Sequence, residues 1–287
     1  VKMSKEILTT TNEQWSKAVI GYDLFKQIVQ YFSIISSNIL IQNITSYNGI
    51  KFLDNCCGPA TLTLELLPLI PSDILQSSSI YLADFSSGMI DASKNILSSS
   101  EYSNLSINYD VLDAQELSYA DNTFTHIGCM FSVMMIKDYI KSYREMCRVL
   151  QSNGICVIGT WKFIDNLNIC NDFREFIWKS HGSIGDMPEP IVMNENHRNP
   201  SLFQLDLLEG GFSKVEVVEY STTFHLANSE NLYYAYSTNP VFKDTFVEGH
   251  HTKWVEFLNS NAGKRYYNKE NDTIVVEATA NIAKCIK

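Results

Sequence analysis

Residues 52–60 read Phe52-Leu53-Asp54-Asn55-Cys56-Cys57-Gly58-Pro59-Ala60, an apolar segment that ends at an acid and passes into a bend of small residues. The apolar run 50–53 is typical of a short buried strand, and the spacing of apolar residues over 61–67 is typical of a helix. A strand, a tight bend and a helix in this order form the unit from which parallel sheets are built. These residues therefore predict the first unit of an α/β fold.

The same alternation of strands and helices continues along the chain. Because parallel strands are joined by crossover helices, it predicts an α/β fold with a Rossmann-like, doubly wound, seven-stranded and mostly parallel sheet. The six further predicted strands are 80–83, 105–111, 125–131, 155–160, 215–219 and 279–286, and the helices include 88–97, 136–150, 171–180 and 201–209.

The overall charge limits the classes of partner. The 287 residues carry a formal net charge of −10, with no run of lysine or arginine, which disfavours nucleic acid and anionic membranes. No apolar stretch is long enough for stable membrane insertion. Seven cysteines without a C-x-x-C pair fit reduced thiols in the cytoplasm better than disulfides or zinc. We expect a cytoplasmic protein with a small-molecule substrate, and its oligomeric state stays open.

The bend after the first strand discriminates between nucleotide cofactors. A dinucleotide fold needs G-x-G-x-x-G to bring a pyrophosphate to backbone amides. Here Gly58 is the only glycine, Cys56 and Ala60 occupy the flanking small positions, and Pro59 removes an amide donor. A cofactor without phosphates needs only a small-residue bend, so the loop disfavours NAD(P). A tight turn without any ligand is the alternative.

Acidic residues also follow the second and third predicted strands. Asp84 can accept hydrogen bonds from both ribose hydroxyls of a nucleoside, and Asp113, followed by the small Ala114, can bind an adenine amino group. Asp84 can instead lie near a helix start capped by Ser86 or Ser87, and Asp113 can be a solvated turn residue. Since parallel strands end at one edge of the sheet, their recurrence favours a ligand site there.

These motifs together resemble those of class I S-adenosylmethionine-dependent methyltransferases over roughly residues 15–225. The motifs are Leu53-Asp54-x-x-Cys57-Gly58, Asp84-x-Ser86-x-x-Met89, Asp113-Ala114, Asn122-x-Phe124-x-His126-Ile127 and Glu145-x-x-Arg148-Val149-Leu150-x-x-x-Gly154. Within that superfamily the chain is most similar to fungal small-molecule methyltransferases of the gliotoxin thiomethyltransferase type. Cys56 and Ala60 depart from the pattern, because glycine is common at both positions.

The resemblance implies that S-adenosyl-L-methionine is the cofactor. It places Asp54 near the methionine end, Asp84 on the ribose, Asp113 with Ala114 at the adenine, and Phe131 near the sulfonium. The complete set of predicted cofactor contacts is Asp54, Asn55, Cys56, Gly58, Asp84, Phe85, Met89, Asp113, Ala114 and Phe131.

The segments around the predicted core are expected to cover the substrate. We expect 1–287 to form a single methyltransferase domain with a cofactor-binding core at 49–161. An N-terminal helical lid is predicted at 13–48, and substrate-capping insertions at 162–200 and 226–270. Trp15, Tyr22 and Trp161 are candidate substrate-pocket residues, because aromatic rings can enclose a sulfonium or an aromatic acceptor. The helical spacing of Trp15 and Tyr22 suits core packing equally well.

The functional prediction is an enzyme that transfers a methyl group to a small-molecule acceptor. The acceptor atom, including the thiol of a secondary metabolite, stays open, and no catalytic base can be named. No metal is expected, because the adjacent His250 and His251 point apart on a helix. The alternatives are a non-catalytic cofactor-binding protein, an NAD(P)-dependent reductase with a Rossmann fold and, third, a methyltransferase of protein substrates.

Overall fold

The computed structural model describes residues 10–287, and its central sheet has eight strands. The strands are β1 (Lys51–Asn55), β2 (Ser79–Asp84), β3 (Ser106–Val111), β4 (Phe124–Met130), β5 (Leu150–Ile164), β6 (Lys214–Ala227), β7 (Tyr267–Asn268) and β8 (Thr273–Ile286). The α-helices are α1 (Asn12–Ala18), α2 (Tyr22–Leu40), α3 (Thr61–Leu66), α4 (Ser72–Gln76), α5 (Ser87–Ser98), α6 (Tyr139–Val149), α7 (Asp165–Ser180), α8 (Glu195–Arg198), α9 (Pro200–Glu209), α10 (Ser229–Thr238) and α11 (His251–Leu258).

The order of the strands confirms the predicted doubly wound α/β fold. The order is β3-β2-β1-β4-β5-β8-β6, and the pairs β3–β2, β2–β1, β1–β4 and β4–β5 are parallel. The chain winds outward from β1 to β3 and then returns to β4 on the other side of β1. The carboxyl ends of β1 and β4 therefore flank the switch point, where ligands bind in folds of this kind. The predicted count of seven omitted β7, a two-residue strand antiparallel to β8.

The centre of the sheet is apolar on both faces. Every residue of β4 is buried, and in β1 only Lys51 is exposed. A strand covered by helices on both faces must be apolar without alternation, which explains the continuous apolar runs in the sequence. The buried Phe124, Ile127 and Cys129 of β4 pack in one core cluster with Tyr143 and Met146 of α6.

The expected turn at 152–154 is instead an irregularity within one strand. Phe124 pairs with Leu150 and His126 with Ile155, so the register shifts between the two pairs. Asn153 takes up the excess length with a φ of 62°. Its N–H also donates to the carbonyl of Lys287 at 3.4 Å. The turn-forming residues thus form a bulge in β5, which begins at Leu150 rather than at 155.

The described residues cluster into two compact units. One contains 28–162, 194–220 and 280–287, and it holds most of the sheet. The other contains 10–27, 163–193 and 221–279. Its core is aromatic: the ring of Phe173 lies 5.2 Å from that of Phe246 and 5.3 Å from that of Trp254. The proposed lid and capping roles of 13–48, 162–200 and 226–270 stay predictions.

Among residues 10–287, no helix combines the length and apolarity that a membrane crossing requires.

Candidate cofactor site at the carboxyl ends of the parallel strands

The bend between β1 and α3 contains three residues in the left-handed region. Cys56, Gly58 and Ala60 have φ values of 59°, 51° and 63°. Two of the three carry a Cβ atom, so the bend stores a steric cost that glycine would avoid. The N–H of Cys57 donates to the carbonyl of Ala83 at the end of β2 at 3.0 Å, which ties the bend to the sheet.

Asp54 is buried at the carboxyl end of β1. Its Oδ2 accepts a hydrogen bond from the Oγ1 of Thr63 at 2.6 Å and another from the N–H of Thr63 at 3.2 Å. Burial raises the pKa of Asp54 to about 7, and Asp84 adds to the rise, while the two Thr63 bonds oppose it. The carboxylate near the end of β1 therefore accepts its hydrogen bonds from the first turn of α3.

Asp84 connects the same bend to the start of α5. Its Oδ2 accepts from the N–H of Gly58 at 2.9 Å and its Oδ1 from the N–H of Ser86 at 2.8 Å. The cap of α5 is the hydroxyl of Ser86, which accepts from the N–H of Met89 at 3.2 Å. Burial raises the pKa of Asp84. The N-cap is thus Ser86, and Asp84 supports both the cap and the bend.

Two buried polar atoms beside the bend have no hydrogen-bond partner among the described residues. They are the Nδ2 of Asn55, a donor, and the Oγ1 of Thr61, which can donate or accept. An unsatisfied buried polar group typically costs about 1–3 kcal/mol. A ligand with amino and carboxylate groups would satisfy both atoms, so the methionine portion of S-adenosylmethionine fits the residues present here.

The third strand contributes Asp113, just beyond β3. This side chain is exposed, and both of its oxygens accept from the Nε2 of Gln115 at 3.0 Å. The following Ala114 is buried. On the neighbouring strand end, Phe85 has 45% of its surface exposed, whereas Met89 is buried. The exposed ring of Phe85 can stack on an adenine, and Asp113, next to the small Ala114, can hydrogen-bond to it.

Phe131 follows β4 directly and adopts a φ of 56°, which is strained for a bulky residue. Its N–H donates to the carbonyl of Gly159 at 2.8 Å. The ring stacks on that of Trp161 with centroids 3.7 Å apart and planes 8° apart, and both rings meet the edge of Phe32. This aromatic trio lies just beyond the carboxyl end of β4.

All ten predicted cofactor contacts, together with Trp161, belong to the unit that holds most of the sheet. Trp15 and Tyr22 belong to the other unit. Trp15 is half-buried on α1 and its Nε1 donates to the Oγ1 of Thr10 at 3.0 Å. Sequence reasoning missed Thr61, Thr63 and Phe32. One feature of the sequence could have indicated Thr63. It is a hydroxyl residue at the third position of α3, a helix whose N-cap Ala60 has no side chain that could accept a hydrogen bond.

The described residues hold no group of three or more potential metal ligands. The Nδ1 of His250 lies 2.9 Å from the carbonyl oxygen of Thr245, and the ring of His251 lies near Glu230. His250 thus has a hydrogen-bond partner within the chain, whereas the Nε2 of His251 has none among the described residues.

Comparison with known proteins yields one family. The sequence model of the ubiE/COQ5 methyltransferase family matches residues 9–187. A demethylmenaquinone methyltransferase of Bacillus mycoides is 29% identical over 157 residues, which cover 50% of this chain and 64% of that protein. The methyltransferase tpcH of Aspergillus fumigatus is 25% identical over 168 residues, which cover 58% of each. The chain thus spans less than two thirds of the length of these relatives.

Solved structures support the fold independently. The YcgJ protein of Bacillus subtilis superposes with a TM-score of 0.54 at 14% identity, covering 88% of this chain and 97% of that one. A protein described as an S-adenosylmethionine-dependent methyltransferase of Methanococcus maripaludis has a TM-score of 0.50 at 21% identity, covering 76% and 91%. At these identities the likeness establishes the architecture.

Proposed function

Because the chain belongs to the ubiE/COQ5 methyltransferase family, we propose that it transfers a methyl group from S-adenosylmethionine to a small-molecule acceptor. Membership confirms the predicted class of S-adenosylmethionine-dependent methyltransferases. The observation that carries the proposal is the convergence of Asp54, Asp84 and the unsatisfied Asn55 amide around one bend at the switch point of the sheet.

Each part of this edge suits a different portion of the cofactor. The carboxylate of Asp84 keeps acceptor capacity for ribose hydroxyls beyond its two backbone bonds. Asp113 can accept a hydrogen bond from the adenine amino group, and the small Ala114 leaves room for the ring. The face of Phe85 can stack on the adenine. Asn55, Thr61 and Asp54 are left for the amino and carboxylate groups of the methionine portion.

The protein residues are expected to contribute alignment and exclusion of water. When bound, S-adenosylmethionine supplies an electrophilic methyl group on a sulfonium. Transfer is in line, so the catalytic requirement is to hold an acceptor atom opposite the methyl group in a dry pocket. We expect Phe131, held in strain at the end of β4, and Trp161, stacked on it, to supply apolar surface next to that position.

The acceptor we propose is small and apolar or aromatic. The stacked rings of Phe131 and Trp161 favour a planar molecule, and the formal charge of −10 disfavours an anionic polymer. The name of one relative gives demethylmenaquinone as the acceptor of that protein. Turnover assays should therefore compare quinols, phenols, thiols and amines. Binding of the cofactor without turnover on any of these would support the non-catalytic alternative.

Calorimetric titration with S-adenosylhomocysteine and with NADH tests the cofactor assignment. We expect S-adenosylhomocysteine to bind and NADH not to bind, because the bend lacks the glycines that a pyrophosphate requires. Asp84→Ala should weaken the binding of S-adenosylhomocysteine by at least about tenfold, since the substitution removes a charged hydrogen-bond acceptor. Asp91→Ala, on the exposed side of α5, is the matched control and should bind normally. Binding of NADH alone would refute the proposal.

A further inference from the structure

Thr63 makes an unusual pair of contacts with Asp54, the acid next to the last residue of β1. Its hydroxyl and its N–H both donate to the same oxygen, Oδ2 of Asp54, at 2.6 Å and 3.2 Å. Thr63 is fully buried, and Asp54 is 1% exposed. Both hydrogen bonds that this carboxylate accepts from described residues therefore come from one residue, and they leave Oδ1 for another donor.

The backbone explains why this residue meets Asp54. The helix α3 begins at Thr61, and its N-cap residue Ala60 has no side chain that could accept a hydrogen bond. The N–H groups of the first helical turn have no intrahelical acceptor, so Asp54 accepts from Thr63 in place of a cap. The position of the helix thus fixes the rotation of the carboxylate.

The groups around Asp54 oppose its ionisation. The charge of Asp84, on β2, raises the pKa of Asp54. The charge of Asp54 in turn raises the pKa of the Cys56 and Cys57 thiols in the bend. The pKa of both thiols is raised well above its usual value, so both stay neutral near pH 7. Burial and Asp84 raise the pKa of Asp54 to about 7, and the two bonds from Thr63 are the opposing contribution.

We propose that Thr63 is a positioning residue that keeps Asp54 ionised and oriented toward the ammonium group of the bound cofactor. The inference rests on the proposed function, because the ammonium belongs to the methionine portion of S-adenosylmethionine. Without the hydroxyl, the buried carboxyl loses its shortest hydrogen bond, and its neutral form is favoured at physiological pH. Neutral Asp54 would offer the ammonium no charge partner.

The test is calorimetric titration of S-adenosylhomocysteine between pH 6 and 8.5, since this product has the same ammonium group. Thr63→Val keeps the shape and removes the hydroxyl, and Thr63→Ser restores the hydroxyl as the matched control. We expect Thr63→Val to bind about tenfold more weakly at pH 7, with the midpoint of its pH dependence moved to higher pH. Thr63→Ser should follow the wild-type pH profile.

A weaker but unshifted pH profile in Thr63→Val would overturn the proposal, because it would indicate a purely structural role. Asp54→Asn provides the test if Thr63→Val does not fold. We expect this variant to lose the pH dependence seen in the wild type, and an unchanged dependence would also overturn the proposal. Failure of the wild type to bind S-adenosylhomocysteine at every pH would refute the proposed function as well, so the two failures are distinguishable.

Discussion

His126 shows how one buried imidazole makes stability depend on pH. It lies on β4 with its Nδ1 2.8 Å from the hydroxyl of Thr125, and its Nε2 has no partner among residues 10–287. The ring of Tyr47 packs edge-on against it at 5.1 Å. Burial lowers the pKa of His126 from its ordinary 6.5 to about 4. The folded protein therefore holds this ring neutral.

We expect the free energy of unfolding to fall as the pH drops from 6.5 to 4. In this window the unfolded chain binds a proton that the folded chain rejects, so a contribution fully present above pH 6.5 is lost by about pH 4. The full shift corresponds to about 3 kcal/mol. Urea unfolding of the ligand-free protein at several pH values measures the free energy of unfolding. In His126→Gln we expect this free energy to fall less steeply as the pH drops. His181→Gln, at an exposed position, is the control, and equal slopes in all three proteins would contradict the prediction.

At the scale of elements, the contact between α6 and α9 depends on the absence of a side chain. A Cβ atom at Gly210, at the end of α9, would lie 2.5 Å from the Cβ of Tyr143 and 3.1 Å from the carbonyl oxygen of Leu207. Tyr143 is fully buried on α6, and neither neighbouring atom belongs to the flexible end of a side chain. The two helices are therefore in direct backbone-level contact.

Gly210→Ala should lower the free energy of unfolding by about 1–3 kcal/mol, because overpacking forces the helices apart. Chemical denaturation measures this change. Gly249→Ala is the matched control, since a Cβ atom there would meet nothing within 4 Å. Equal stability of the two variants would show that α6 and α9 can move apart without a loss in the free energy of unfolding.

The elements differ in how far the sequence determines them. The strands β1, β2 and β4 were predictable to within a residue or two, because apolar runs that end in acids or small residues carry a local signal. The bulge in β5 was not predictable, since the residues 152–154 would suit a hairpin turn equally well and only pairing with β4 selects between them. The same holds for β6 (Lys214–Ala227), which runs well beyond the predicted 215–219 because pairing with β8 extends it.

The candidate site was likewise only partly predictable from the sequence. Asp54, Asp84 and Asp113 stood out because each follows a strand of the same parallel set. The bond from the N–H of Ser86 to Asp84 is local. The other bonds of Asp54 and Asp84 were not predictable, because Thr63 lies nine residues from Asp54 and Gly58 lies twenty-six residues from Asp84 along the chain. Pairings of that kind depend on how the helices pack on the sheet.

At the scale of the whole molecule, the proposed cofactor contacts fall in one of the two units, which makes the response to a ligand testable by region. Amide hydrogen exchange with and without S-adenosylhomocysteine should show added protection in the bend 55–60, at 84–89 and at 113–117. Binding stabilises these segments because exchange there requires an opening that releases the ligand. The aromatic core around Phe173 and Trp254, in the other unit, is the internal reference. Asp84→Ala should remove the protection at the bend, and protection confined to the reference region would place the ligand away from the strand ends.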